Sequence, residues 1–169
     1  MANDFKVEAI INTGSAGAVA PGMAVGDIVL ADKLAYHDVD VTAFGYKYGQ
    51  MAGQPLYFES SRYFVSEMKK VLEEEAATTH VGLITTGDSF IASEEKVAAI
   101  REHFPEVLAV EMEGAAIAQA AHAAGRPFMV IRAMSDTADH AANISFDEFI
   151  GEAGERSART LITFLKRLV

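Results

Sequence analysis

The feature that most constrains the fold is alternation. Short apolar runs at residues 7–11, 25–31, 81–86, 107–110 and 128–133 have the length and composition of buried strands. Segments of helical period separate the later ones. Phe64, Met68, Val71 and Leu72 recur at the spacing of one helix face, predicting an amphipathic helix over 61–76. Residues 94–103 read as a helix that stops before Pro105, and 115–124 as a small-residue helix ended by Gly125. Ser145 and Glu148 form a Ser-x-x-Glu capping box that opens a last helix toward the C-terminus. Strand and helix in turn imply parallel strands joined by helical crossovers, and so an α/β fold. Gly14 and Gly17 break the first run into a tight loop. Residues 36–58 are aromatic and aperiodic, a length of loop that is usually functional or packed on a partner.

The 169 residues suffice for one domain with a real core, expected to span 1–169. A net charge of −10, with 14 scattered Lys and Arg, excludes a nucleic-acid binder, which needs clustered cations. No cysteine is present, so disulfides and thiolate metal sites are excluded. No apolar stretch approaches the ~20 residues of a bilayer span. The first residues carry no signal-peptide core. A cytoplasmic protein without membrane contact is expected. The five histidines show no i, i+4 pair, so no metal is expected.

Two apolar runs end in acid. Residues 128–133 lead into Ser135-Asp136-Thr137, and 107–110 into Glu111-Met112-Glu113. Carboxylates at the C-terminal ends of strands stand where α/β folds gather their chemistry. Each also has a plainer reading. Ser-Asp-Thr is good turn chemistry, and Glu113 suits the first turn of the following helix. Phe90 reads as core by composition. Ser15, in Thr-Gly-Ser-Ala-Gly, reads as part of a phosphate-binding turn. Arg132 is interior to an apolar strand and requires a partner.

Five segments, taken together, carry a resemblance: residues 11–17 (INTGSAG), 36–46 (YHDVDVTAFGY), 87–90 (GDSF), 110–113 (VEME) and 132–136 (RAMSD). In this order and without evident gaps, from about Val7 to the C-terminus, the chain closely resembles bacterial 5′-methylthioadenosine/S-adenosylhomocysteine nucleosidases of the nucleoside phosphorylase superfamily. The resemblance implies a three-layer fold with a twisted, mostly parallel or mixed sheet flanked by helices, and a homodimer. It implies hydrolysis of the N-glycosidic bond, releasing adenine and a 5-alkylthioribose, with no cofactor or metal. Family members carry a further segment before the Asn-Thr-Gly-Ser motif, including a Glu that activates water. Its absence here implies an N-terminally truncated chain, impaired in turnover and with Arg132 short of a partner.

The same resemblance implies roles. Asp136 would protonate adenine N7, since adenine leaves poorly as an anion. Glu113 would accept hydrogen bonds from the ribose hydroxyls as positive charge grows on the sugar. Met112 would lie against the sugar, Phe90 would stack on adenine, and Ile91 backbone groups would read the base edge. Ser15 would line the ribose and water side, near Arg132, and Ser135 is a further polar contact. Val41, Phe44, Tyr46 and Phe146 would line the alkylthio end, with the 41–46 loop crossing a dimer interface. Glu111 is expected to be structural. A nucleoside phosphorylase and a non-catalytic nucleoside-binding remnant remain as alternatives.

Overall fold

The computed structural model describes residues 4–138 and 142–168, with side chains for 4–138 and 154–168. Its six strands are β1 (Ile10–Ala18), β2 (Ile28–Tyr36), β3 (Phe58–Glu59), β4 (Thr79–Thr86), β5 (Val107–Glu111) and β6 (Phe128–Asp136). The helices are α1 (Arg62–Glu74), α2 (Glu94–His103), α3 (Gly114–Ala123) and α4 (Ala142–Leu168), with a 3-10 turn at Thr42–Phe44. The sheet order is β3-β2-β4-β5-β1-β6, and β2 also pairs with β6. Five strands therefore close into a ring, with β3 on the outer flank of β2. β2, β4 and β5 run one way, β1 and β6 the other, so the sheet is mixed. This is the α/β architecture expected, with closure added.

Alternate residues of β6 feed two different cores. Phe128, Val130 and Met134 pack with the buried alanines of α3, Ala115, Ala118 and Ala121. Met129 and Ile131 pack with Met68, Val71 and Leu72 of α1 and Phe164 of α4. Both faces are covered, which is why β6 reads as a continuous apolar run. Alanine on α3 lets its backbone approach the sheet closely. A third cluster, including Ile91, Ile100, Phe104 and Val110, lies under α2.

Three expectations change. The Gly14–Gly17 segment is not a loop but the body of β1. β2 begins at Ile28 rather than 25, because a turn at Gly26-Asp27 comes first, with the Asp27 carboxylate accepting from Ala24 N–H at 3.1 Å. α4 begins at Ala142, so Ser145 lies inside the helix rather than at its cap.

Candidate active site

The acidic ends of β5 and β6 meet because of β1. The tips are not adjacent: β1 lies between them, parallel to β6 and antiparallel to β5. Its Gly17 pairs with Val110 on one side and with Asp136 on the other. β5 overlaps β1 only at its C-terminal end, so two strands of opposite direction still bring their C-termini together. Asp136 and Glu113 then line one cavity of about 490 Å³, together with Ser15, Phe90, Ile91 and Met112. That volume lies within the range of small-molecule sites.

A bulge aims the acid. Met134 pairs with Ala16 and Asp136 with Gly17, leaving Ser135 as the extra residue. Regular pleating would turn one of two consecutive side chains away from the cavity. With the bulge, both Ser135 and Asp136 line it. The Ser135 hydroxyl donates to Asp136 Oδ2 at 2.8 Å, and Ala138 N–H donates to Oδ1 at 2.8 Å. The turn role and the site role of Asp136 thus coexist. Asp136 is only 2% exposed, although it forms part of the wall.

The glycines of β1 clear space for this arrangement. A Cβ at Gly17 would stand 2.8 Å from Asp136 Oδ1, and one at Gly14 would stand 2.7 Å from Arg132 Nη1. These are close approaches within a strand, not a phosphate-binding turn. Gly17→Ala is expected to displace the Asp136 carboxylate. It should lower turnover while costing about 1–3 kcal/mol of stability, as overpacking does. Kinetics together with a urea melt check both.

Glu111 is the buried hub. Its carboxylate accepts from Arg132 Nε at 3.1 Å and from Arg132 Nη2, from Thr86 Oγ1, and from the N–H groups of Glu113 at 3.2 Å and Gly114 at 2.7 Å. Thr86 Oγ1 also accepts from Ala115 N–H at 2.8 Å. Glu111 and Thr86 therefore satisfy the first N–H groups of α3, where the helix dipole favours an anion. Arg132 offsets that charge and reaches Glu113 Oε2 at 3.7 Å. Glu113 itself makes no side-chain cap and is largely exposed to the cavity.

Arg132 is thus not left without a partner, correcting that expectation. It also does not line the cavity as a substrate contact: it is 2% exposed and sits behind Glu111. Glu111 is structural, as expected, but its pairing with Arg132 was not foreseen. The signal was present, because a buried strand arginine requires a buried acid, and Glu111 closes another apolar strand. Phe90 and Met112 expose apolar surface at 46% and 42%, offering cover for a flat apolar ligand.

Within one chain, Val41, Phe44 and Tyr46 do not reach the cavity. Their loop is pinned away from it: Gly49 N–H donates to Val39 C=O at 2.8 Å and Tyr48 Oη to His37 C=O at 3.1 Å. Tyr46 Oη accepts from Gly53 N–H at 3.2 Å, and Phe44 is 81% exposed. The Phe146 side chain lies outside the described residues. Among the described residues no group of three or more His, Asp or Glu side chains is arranged to hold a metal ion, and no helix is long and apolar enough to cross a membrane.

His37 is buried beside this site, with Nδ1 3.2 Å from Thr85 Oγ1. Burial pushes its pKa below the ordinary 6.5, against a smaller opposite pull from the Asp38 carboxylate, Thr85 and Glu111. The fold therefore favours the neutral ring. That contribution is complete above the unfolded value and is lost as pH falls toward the depressed folded value. The Tm gap between the native chain and His37→Gln should accordingly narrow as pH drops from about 7.5 to about 5.5. Paired thermal melts across that range check it.

A profile of the Phosphorylase superfamily matches residues 1–166. The 5′-methylthioadenosine/S-adenosylhomocysteine nucleosidase of an Exiguobacterium strain is 50% identical over 165 residues, covering 97% of this chain and 71% of that protein. The Streptococcus pyogenes S-adenosylhomocysteine nucleosidase, solved with a methylthio-tubercidin ligand, superposes with a TM-score of 0.94 at 64% identity, covering 99% of this chain and 71% of that one. The Streptococcus pneumoniae enzyme, solved with the transition-state inhibitor MT-ImmA, gives 0.94 at 67% identity, covering 99% and 73%. With the two acids on one cavity and this likeness along nearly its whole length, the chain belongs to the 5′-methylthioadenosine/S-adenosylhomocysteine nucleosidase family of the phosphorylase superfamily.

Proposed function

We propose that the chain hydrolyses the N-glycosidic bond of 5′-methylthioadenosine and S-adenosylhomocysteine. One observation carries the reading: Asp136 and Glu113 line a single cavity of about 490 Å³. Asp136 delivers a proton to adenine N7 as the C–N bond breaks. Water bonds to C1′ in adenine's place and releases a proton to solvent, from which Asp136 is reprotonated. Ser135 and Ala138 N–H hold the Asp136 carboxyl in place. Glu113, kept near by Arg132, accepts the ribose hydroxyls and strengthens those bonds as the sugar becomes cationic. Phe90 stacks on the base, Ile91 backbone groups read its edge, Met112 lies on the sugar, and Ser15 borders the ribose and water side. Arg132 acts through Glu111 and Glu113, not by touching substrate.

The alkylthio end is completed by a second copy. Val41, Phe44 and Tyr46 of one subunit cross to the partner's cavity in a homodimer. The 81% exposure of Phe44, on a loop pinned away from its own cavity, supports this. The lack of cysteine fits a reducing cytoplasm.

Phosphorolysis is the second reading. It needs cations at the cavity, and none of its described lining residues is Lys, Arg or His. The test is adenine release from 5′-methylthioadenosine, with and without inorganic phosphate, beside adenine binding by calorimetry. Release that ignores phosphate is the expected result. Release only with phosphate makes the chain a phosphorylase. Binding without release leaves a nucleoside-binding protein and overturns the hydrolytic reading.

A further inference from the structure

The loop that carries Phe90 and Ile91 runs from the end of β4 to the start of α2, and one of its anchors lies outside the cavity. Ile91 is buried among Ile100, Phe104 and Val110 at the far end. At the near end, Gly87 N–H donates to Glu111 C=O at 3.2 Å. The next amide, Asp88 N–H, donates to Asp38 Oδ2 at 2.7 Å. No residue lining the cavity supplies that carboxylate. It comes from the segment that follows β2.

Asp38 is itself held. The preceding His37 N–H donates to Thr86 C=O at 2.9 Å, and the His37 carbonyl accepts from Tyr48 Oη. A Cβ at Gly87 would stand 2.9 Å from Asp38 Cγ, so carboxylate and loop backbone are in direct contact. Asp38 is exposed, hence its charge carries little burial cost. Three residues further on, the chain reaches Val41, the first of the residues assigned above to the partner's alkylthio end. One carboxylate therefore links the loop beneath the base to the loop that reaches the second subunit.

We propose that Asp38 is a positioning residue for adenine recognition: it fixes the start of the 87–93 loop, and through it the Phe90 ring and the Ile91 backbone. The inference rests on the nucleosidase reading. The bond needed is an acceptor for one backbone N–H, which an amide oxygen also supplies. Asp38→Asn should therefore behave nearly as the native chain does, and Asp38→Ala should not.

The experiment compares native protein, Asp38→Ala and Asp38→Asn by amide hydrogen exchange, adenine affinity and thermal melting. In Asp38→Ala, amides 88–91 should exchange several-fold faster while those of β4 stay unchanged. Adenine Kd should rise about five- to tenfold, the equivalent of one ordinary backbone hydrogen bond. KM for 5′-methylthioadenosine should rise with it and kcat should move less. Asp38→Asn should restore both readouts to within about twofold. Unchanged exchange at 88–91 in Asp38→Ala overturns the proposal. So does faster exchange with unchanged adenine affinity, or an Asp38→Asn variant as impaired as Asp38→Ala. A native chain that binds no adenine instead removes the functional reading, a result separate from these because it does not involve the variants.

Discussion

Asp136→Asn is expected to lower adenine release by about 10²–10⁴-fold, the usual worth of a general acid. Adenine affinity and Tm should stay close to native. The geometry explains this separation. Asn can present its Oδ1 to Ala138 N–H, and its amide can donate to the Ser135 hydroxyl, which rotates to accept. The fold and the pocket wall are kept, and only the transferable proton is lost. Single-turnover measurement of adenine formation, with calorimetry for binding, reads the two quantities apart. Turnover at the native rate in this variant would remove Asp136 from the mechanism.

The largest effect on stability is expected at the buried pair. Arg132→Met leaves the Glu111 carboxylate, 2% exposed at its side chain, without its cation. Breaking one side of such a pair costs about 3–5 kcal/mol, because the remaining charge stays desolvated. For a chain of this length that is a fall of about 6–20 °C in Tm. The helix N–H groups and Thr86 still face Glu111, but neutral donors do not replace a guanidinium. Adding Glu111→Gln to Arg132→Met should recover more than half of the loss. Gln keeps an oxygen for Gly114 N–H and removes the buried charge. Melts of the single and double variants decide this, and a single variant within 2 °C of native, well below the expected fall, would show that the pair contributes little.

The acids at 136 and 113 were legible because one closes an apolar strand and the other follows an apolar strand by two residues, and a strand's end is a local property. The helix over Glu94–His103 was legible at both bounds for the same reason. It has a Ser93 cap, acids in its first turn, and a proline two residues beyond its end. The glycine motif was misread. Its glycines serve neighbours 118 and 119 residues away, Arg132 and Asp136, and no local rule distinguishes that need from a turn. The pairing of Glu111 with Arg132 was missed for a related reason. The partners of Glu111 come from β4, β6 and the start of α3, and the sequence does not say which buried acid meets Arg132.

What the chain determined on its own is which segments become strands and helices and where the carboxylates stand along them. Periodic burial and end chemistry are written into neighbouring residues. The tertiary structure alone decided that β1 separates β5 from β6, that a bulge turns Ser135 and Asp136 to the same side, and that Arg132 supports the site from behind. Those outcomes depend on register between distant strands, and register is settled by side-chain packing across the whole ring.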